Sequence, residues 1–419
     1  GGLLMRGRIT RTRVLGSALL ALPLFAVSAQ GAPPAPRADT PERIDAPDLP
    51  GATPINHLQV LGTHNSYALP VDRRLVELMR PRFEAMLAAF DALPEERRAL
   101  MAEEHPNGIS FDDALNYLHP DLTTQLDLGM RSLELDVNPD PDGGRYADPA
   151  GYRALRREGI APGFAIDEAA LARPGYKVQH IVDYDFRSHC TLFVTCLAQI
   201  RDWSDAHQGH VPLFILVEAK SQGRKLFADS AEPLPFDKAA FDALDAEILS
   251  VFDRSRIITP DDLRGEHATL NAAARAGNWP RLESARGKVM FLMITANGPQ
   301  GAAAYLEGHP SLAGRVAFLR ANPGEDHAAF LMYDNAIVRE DEIRKAVAEG
   351  YLVRTRSDIE TYEARANDMT RANAALGSGA QIVSTDFERP GNVYGTPYLV
   401  RLPTGEGAAA RLSPAAGGQ

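Results

Sequence analysis

Cysteine and lysine are scarce in this 419-residue sequence, and after its first thirty residues it has no apolar run long enough to span a bilayer, which takes roughly 20 residues. Its 44 lysines and arginines are outnumbered by 55 aspartates and glutamates, so the basic surface that nucleic acid requires is missing. The phosphate-binding loop G-x-x-x-x-G-K-[ST], the dinucleotide fingerprint and the G-x-S-x-G elbow are also absent. These absences argue against a nucleic-acid partner, nucleotide hydrolysis and serine-esterase chemistry.

The first thirty residues have the pattern of an export signal. Arginines at positions 6, 8, 11 and 13 precede an apolar run over residues 14–27, and small residues follow it. The alternative is a membrane anchor, but the run is about 14 residues long and a spanning helix needs roughly 20. We predict a signal peptide over residues 1–29, with residues 1–4 extraneous, and hence a secreted or periplasmic protein.

The two cysteines, Cys190 and Cys196, are predicted to form a disulfide, because an exported protein meets an oxidising compartment. Within one helix their Cα atoms would lie about 9 Å apart, which is too far for a disulfide. Cys190 is therefore expected to precede the helix that contains Cys196. A metal pair is the alternative, and the sequence lacks a second pair at zinc spacing.

The remaining chain alternates between short apolar runs and segments of helical period. The runs predict buried strands at residues 58–63, 132–137, 177–181, 212–217, 289–294, 329–333, 352–355 and 381–385. Eight such units predict an α/β fold, a (β/α)₈ TIM barrel, with a doubly wound open sheet as the alternative. The first two strands are separated by a long helical insertion. We expect a flexible leader at 30–54, one catalytic domain at 55–400, a disordered tail at 401–419 and a monomer.

Polar residues accumulate where the predicted strands end, which is the catalytic face of such a barrel. Glu134 and Asp136 are two apart in one strand, so both side chains face the same side. Two carboxylates held together repel each other unless a cation neutralises them. With Asn65 and Glu218 they form an all-oxygen set, which Ca²⁺ or Mg²⁺ prefers. The alternative for such an acidic pair is a solvated face of an edge strand.

Two histidines, His64 and His180, lie at the ends of predicted strands at the same barrel mouth. A pair of imidazoles can divide the roles of general base and general acid. His119 and His189 are competitors for the second role. The other histidines lie in predicted loops or helices and are interpreted as structural.

Three cations lie near the predicted metal site: Lys220, Arg354 and Arg356. Cations beside a metal suit an anionic substrate such as a phosphate. For the two arginines, ion pairs with the site's own acids are an equally good interpretation.

Several segments carry a resemblance to a known family: LGTHNSY at 61–67, QLDLGMRSLELDV at 125–137, VQHIVDYDF at 178–186 and FILVEAK at 214–220. The sequence resembles the calcium-dependent phosphatidylinositol-specific phospholipase C superfamily, in particular its secreted bacterial branch. The likeness covers most of residues 55–389. It departs from the eukaryotic pattern after the second histidine, where Ile181, Val182 and Asp183 stand in place of His-Gly-His.

The resemblance implies that His64 and His180 are the catalytic pair. It implies a Ca²⁺ site whose ligands are Asn65, Glu134, Asp136 and Glu218. Lys220 would contact the substrate phosphate. The implied reaction is attack of the inositol 2-hydroxyl on phosphorus, which releases diacylglycerol and forms a cyclic inositol phosphate.

Two other functions stay open at this point. A glycerophosphodiester phosphodiesterase would share the barrel, the metal and the paired histidines, and a calcium-stabilised module that only binds headgroups would need neither histidine. The headgroup stays open between phosphatidylinositol, a glycosyl-phosphatidylinositol anchor and a soluble phosphodiester. Transient contact with a membrane surface is a further hypothesis, through apolar residues of the first predicted helix, Leu75, Leu78, Met79, Phe83, Met86 and Phe90; we expect packing on the barrel instead.

Overall fold

The computed structural model describes residues 43–220, 225–296, 299–404 and 408–416. The predicted signal peptide and most of the predicted leader lie outside these residues. Among the described residues, no helix is both long and apolar enough to cross a membrane.

Ten strands and fourteen α-helices make up the described chain. The strands are β1 Leu58–Thr63, β2 Ser132–Asn138, β3 Lys177–Val178, β4 Leu213–Ala219, β5 Val289–Thr295, β6 Ala317–Leu319, β7 Phe330–Asn335, β8 Leu352–Arg356, β9 Ile382–Thr385 and β10 Arg411–Leu412. The helices are α1 Arg73–Phe90, α2 Glu95–Glu104, α3 Leu122–Asp127, α4 Ala150–Arg157, α5 Glu168–Ala172, α6 Phe193–Ala206, α7 Lys238–Val251, α8 Pro260–Arg264, α9 Leu270–Arg275, α10 Leu282–Ala285, α11 Pro299–Leu306, α12 Glu340–Ala348, α13 Tyr362–Ala366 and α14 Thr370–Gly377.

Eight parallel strands form a nearly closed barrel in the order β6-β5-β4-β2-β1-β9-β8-β7. A single parallel bridge between Arg320 and Phe330 connects the two end strands, β6 and β7. The central strands are buried on both faces, which explains why they are continuous apolar runs rather than alternating ones. The predicted TIM barrel is therefore confirmed.

The third predicted strand, residues 177–181, was assigned wrongly to the barrel wall. β3 contains only Lys177 and Val178 and pairs antiparallel with the end of β2. The chain cannot continue as a strand because the backbone amides of His180 and Ile181 both donate to the carbonyl of Asp185 and form a tight turn. The true eighth barrel strand is β6, whose three residues are too few to show a periodic pattern.

The predicted insertion between the first two strands contains α1, α2 and α3. Helix α1 packs against α4, and their apolar side chains form a second core beside the barrel core. Leu75, Met79 and Phe83 are buried in this second core, so they do not form an exposed apolar rim. Met86 and Phe90 are half-buried.

The segments on either side of the barrel differ from the expected flexible leader and disordered tail. In the leader, Asp45 is buried and its carboxylate accepts from Nε and Nη2 of Arg131 at 2.6 and 3.1 Å. In the tail, β10 pairs antiparallel with the start of β1. The backbone amide of Ser413 donates to the carbonyl of His57 at 2.8 Å. In the described parts of these segments, residues 43–54, 401–404 and 408–416, one buried ion pair and a short strand pairing hold a chain with little apolar period.

The structure joins Cys190 to Cys196 by a disulfide with a Cα–Cα distance of 5.4 Å. Cys190 lies before α6 and Cys196 lies within it, so the bond ties the loop after β3 to that helix.

The Asp45–Arg131 pair generates a stability prediction. Asp45→Ala should lower the free energy of unfolding by about 3 kcal/mol, because it leaves a buried guanidinium without its counter-charge. Asp48→Ala is the control: Asp48 is exposed in the same segment and should change stability by less than about 0.5 kcal/mol. Urea denaturation measures both variants, and a change of less than about 0.5 kcal/mol for Asp45→Ala as well would show that this ion pair does not stabilise the fold.

Candidate active site

The loop after β1 carries two of the predicted site residues, His64 and Asn65. Asn65 has a left-handed backbone with φ of 45°, a conformation that asparagine tolerates better than most residues. The neighbouring Ser66 hydroxyl accepts from the backbone amide of Glu134 at 2.8 Å, and Gln125 Nε2 donates to the carbonyl of Ser66 at 2.8 Å. These bonds attach the loop to β2 and fix where both side chains begin.

Three carboxylates meet inside the mouth of the barrel. Asp136 of β2 is in register with Glu218 of β4, and Glu134 faces the same side as Asp136. Oxygen atoms of all three residues lie within 4.8 Å of one another. Glu134 and Asp136 are buried, and Glu218 is half-buried. Strand register therefore brings together three of the four predicted metal ligands.

This acidic cluster, Glu134 with Asp136 and Glu218, is only partly neutralised by the protein. Lys220 Nζ lies 3.6 Å from Asp136 and 3.5 Å from Glu218. Burial raises the pKa of Asp136 well above its ordinary range, and the charges of Glu218 and Glu134 add to this effect against the opposing charge of Lys220. Burial alone would also raise the pKa of Glu218, but Lys220 and then His180 lower it.

The cluster fits a hard divalent cation. Tyr67 donates to Oδ2 of Asp136 at 2.9 Å, while Oδ1 of Asp136 has no hydrogen-bond partner among the described residues although it is buried. A buried carboxylate oxygen without a partner is costly, and a cation would satisfy it. The Asn65 amide nitrogen donates to the Tyr117 hydroxyl at 2.9 Å, which fixes the amide orientation. The atoms available to coordinate a cation are all oxygens, as Ca²⁺ prefers.

His64 is held by a carboxylate that follows β9. Its Nδ1 lies 3.1 Å from Oδ1 of Asp386, and Arg356 Nη2 lies 3.4 Å from Oδ2 of the same carboxylate. Burial would raise the pKa of Asp386, but the charge of His64 and the hydrogen bond to His119 hold it well below its usual range. An ionised Asp386 orients the His64 ring through Nδ1, so that Nε2 is the ring nitrogen that does not contact this carboxylate.

His119, one of the competitors for the second catalytic role, lies behind this pair. It is fully buried, and its Nδ1 lies 2.8 Å from Glu388 while its Nε2 lies 3.3 Å from Asp386. Burial alone favours the neutral ring, but the charge of Glu388 and the hydrogen bond to Asp386 raise the pKa of His119 to about 10. His119 is thus a fixed internal cation. His189, the other competitor, places Nε2 at 2.6 Å from the carbonyl of His119.

His180 has its own carboxylate, supplied from within the same turn. Its Nδ1 lies 2.8 Å from Oδ2 of Asp185. The turn depends on Asp183, whose backbone is left-handed with φ of 71° and whose Oδ1 accepts from the backbone amide of Ala150 at 2.8 Å. The backbone amide of Asn65, the residue after His64, lies 3.4 Å from Oε2 of Glu134, and His180 lines the same cavity as Lys220, so both histidines lie beside the acidic cluster.

The two predicted phosphate-binding arginines are engaged in ion pairs. Arg354 is buried and donates to Glu134 at 3.1 Å and to Asp334 at 2.6 Å. Arg356 pairs with Asp386. Of the three predicted substrate cations, Lys220 is the most exposed side chain, at 23% against 2% for Arg354 and 11% for Arg356.

Sequence reasoning missed the partners of the catalytic candidates. Asp386, Asp185, Tyr67 and Tyr117 were not assigned a role from the sequence. Asp185 carried the best available signal, because it follows His180 by only five residues in an acidic turn. The pairing of Asp386 with His64 joins residues 322 positions apart and has no local signal.

Comparison with known proteins agrees with this geometry. Residues 53–414 match the model of a family described as phosphoinositide phospholipase C, Ca²⁺-dependent. No curated protein sequence matches the chain.

Solved structures give distant likenesses. A calcium-dependent phosphoinositol-specific phospholipase C from a Gram-negative Pseudomonas species is 16% identical, with a TM-score of 0.49 over 89% of this chain and 99% of that one. A Ca²⁺-dependent phosphatidylinositol-specific phospholipase C from Streptomyces antibioticus is 19% identical, with a TM-score of 0.46 over 80% of this chain and 95% of that one. The family model, which spans most of the chain, is the stronger finding.

The acidic cluster generates a calcium-binding prediction. Asp136→Asn should weaken Ca²⁺ affinity by about tenfold or more, because a charged ligand becomes neutral. The control is Asp142→Asn, since Asp142 is exposed on the loop after β2. Titration calorimetry measures both variants, and unchanged affinity in Asp136→Asn would remove this residue from the ligand set.

The raised pKa of Asp136 generates a pH prediction. Because its pKa lies above the ordinary 3.8, Asp136 still holds a proton where a free aspartate has lost it. Ca²⁺ must displace that proton, so affinity should increase as the pH rises from about 4, with proton release on binding. Calorimetry in buffers of different ionisation enthalpy measures the released protons. Asp136→Asn should reduce this release; affinity that is constant across the range would contradict the assignment.

Proposed function

The chain belongs to the Ca²⁺-dependent phosphoinositide phospholipase C family, and we propose that it cleaves the phosphodiester of phosphatidylinositol-type lipids through a cyclic inositol phosphate. One observation carries the proposal. Two histidines, each held through Nδ1 by a carboxylate, flank an acidic cluster suited to Ca²⁺. A base, an acid and a cation site are the parts that intramolecular phosphoryl transfer requires.

His64 is the general base in this proposal. Asp386 holds its Nδ1, so Nε2 is available to take the proton from the inositol 2-hydroxyl. Asp386 is in turn fixed by Arg356 and by buried His119. The hydroxyl oxygen then forms a bond to phosphorus.

His180 is the general acid. As the bond between phosphorus and the glycerol oxygen breaks, His180 gives its proton to that oxygen and diacylglycerol leaves. Asp185 stabilises the protonated ring before transfer and orients it. The net change is the transfer of one proton from the inositol hydroxyl to the glycerol oxygen.

Lys220 and the Ca²⁺ site interact with the phosphate of the substrate. The Lys220 ammonium, whose pKa is raised by Asp136 and Glu218 against the effect of burial, stays charged and is placed to contact a phosphoryl oxygen. Glu134, Asp136, Glu218 and Asn65 would hold Ca²⁺, which would favour deprotonation of the attacking hydroxyl and offset negative charge on the phosphoryl group.

Export, a monomeric state and transient membrane contact belong to the same proposal. The disulfide between Cys190 and Cys196 supports an oxidising compartment. A lipid substrate requires an encounter with a membrane or a lipid monomer.

Phosphorus NMR tests the proposed reaction. The mature protein is incubated with phosphatidylinositol micelles, first with Ca²⁺ and then with excess chelator, and a cyclic phosphodiester signal should appear only with Ca²⁺. Glycerophosphodiesters cleaved to glycerol phosphate, with phosphatidylinositol untouched, would move the chain to that rival activity. Absence of turnover with both would favour a binding module.

Removal of the base generates an activity prediction. His64→Ala should lower the rate by 10²–10⁴-fold, the usual range for a general acid–base group. Ca²⁺ affinity and thermal stability serve as controls and should stay near the wild-type values. A variant that retains more than about a tenth of the activity would rule out the assigned role.

Removal of the acid generates a second, sharper prediction. His180→Ala should lose most of its activity on phosphatidylinositol but much less on an inositol phosphate ester of p-nitrophenol, whose leaving group needs no proton. His64→Ala should lose activity on both substrates to a similar extent. Equal losses for His180→Ala on the two substrates would show that His180 does not protonate the leaving group.

A further inference from the structure

A cavity of about 460 Å³ opens beside the candidate active site. Its walls come from α1 and α2, from the segment that follows α2, and from the segments after β3 and β4. Apolar side chains on these walls include Phe83, Met86, Phe90, Phe111, Ile181 and Leu234. The volume lies within the range of cavities that bind small organic ligands, which are mostly apolar with a few polar groups.

The cavity is continuous with one side of the active site. Among the described residues that line it are His180 and Lys220. His64, Arg356 and Asp386 are not among those lining residues. The general acid thus faces the cavity, and the general base lies away from it.

The apolar wall is built in advance rather than assembled on binding. Phe83 stacks on Phe111 with ring centroids 4.4 Å apart and meets the edge of Tyr184 at 5.0 Å. These residues belong to the second core. His105 and Glu360 also line the cavity, and they are paired with each other. An apolar ligand would therefore meet a preformed surface.

The position of the acid decides which part of a substrate enters. A general acid must lie within hydrogen-bond reach of the leaving oxygen. The carbon skeleton attached to that oxygen then extends into the space beside His180. This space is the apolar cavity, whereas the inositol ring must lie toward His64 to place its hydroxyl near the base.

We propose that this cavity binds the hydrocarbon part of the leaving group, so that an apolar chain on the glycerol side of the phosphodiester is a specificity determinant. The inference rests on the proposed function. It identifies the substrates as phosphoinositol esters with an apolar alcohol, taken up with a hydrocarbon chain inside the protein.

A series of soluble substrates tests this directly. Methyl, hexyl and decyl esters of inositol 1-phosphate are used with Ca²⁺ below their aggregation concentrations, so that no lipid surface contributes. In the wild type, kcat/KM should rise with chain length, by up to about fourfold per buried methylene. Binding of 1-O-decylglycerol, a product-like probe that needs no turnover, is measured by calorimetry in parallel.

Two variants fill the cavity from different walls, and one matched control does not. Met86→Trp and Leu234→Trp should lower the decyl-to-methyl ratio of kcat/KM at least tenfold and weaken 1-O-decylglycerol binding. Ala85→Trp adds the same side chain to an exposed neighbour on α1 and should keep the wild-type ratio. Thermal melting of all three variants verifies the fold. Because the two cavity substitutions lie on different walls, the test can still be made if one of these variants does not fold.

The outcomes separate this inference from the proposed function. Cleavage of all three esters at one kcat/KM would overturn the cavity inference and leave the proposed function standing. Binding of 1-O-decylglycerol that both cavity variants lose, with no ester cleaved, would keep the cavity and overturn the proposed function. Wild-type ratios in both filled variants would also overturn the inference.

Discussion

The site depends on one electrostatic constraint, the enclosure of three carboxylates at the mouth of a parallel barrel. Strand register fixes Asp136 beside Glu218, so their repulsion cannot be relieved by movement of the backbone. Lys220 neutralises part of this charge, Tyr67 satisfies one oxygen of Asp136, and the other oxygen is left without a partner among the described residues. The cluster is therefore a site that favours a divalent cation, and the proposed catalytic groups are arranged around it.

A carboxylate also orients each of the two histidines, but one carboxylate is distant in the sequence and the other belongs to the same turn as its histidine. Asp386 follows β9, the strand paired with β1, and contacts His64 from there; it is part of a longer row of charges that includes His119 and Glu388. Asp185 reaches His180 within one turn. The proposed base is therefore positioned by the pairing of two adjacent barrel strands, whereas the proposed acid is positioned by a local turn beside the apolar cavity. This asymmetry agrees with a reaction in which a polar ring lies on one side and an apolar leaving group on the other.

Much of the fold was predictable from the sequence because buried parallel strands are continuous apolar runs. Seven of the eight runs became barrel strands, and the acidic pair on β2 followed from the period of a strand. β6 was missed because it is too short, and the run at 177–181 was misassigned because backbone bonds to Asp185 end it. The contact of His64 with Asp386 could not be predicted, since strands that pair in the barrel but lie 322 residues apart in the chain leave no local pattern. The ion pair of Asp45 with Arg131, within the predicted leader, has no signal in the composition of that segment.

The central claim is that the acidic cluster binds the calcium on which the family depends. Crystals of the protein grown with millimolar Ca²⁺ and measured at a long wavelength would reveal the ion by its anomalous scattering. The account predicts a peak about 2.3–2.6 Å from oxygens of Glu134, Asp136 and Glu218, with the Asn65 amide oxygen in the same shell. A cluster that is occupied only by the Lys220 ammonium, with no peak between the carboxylates, would contradict it.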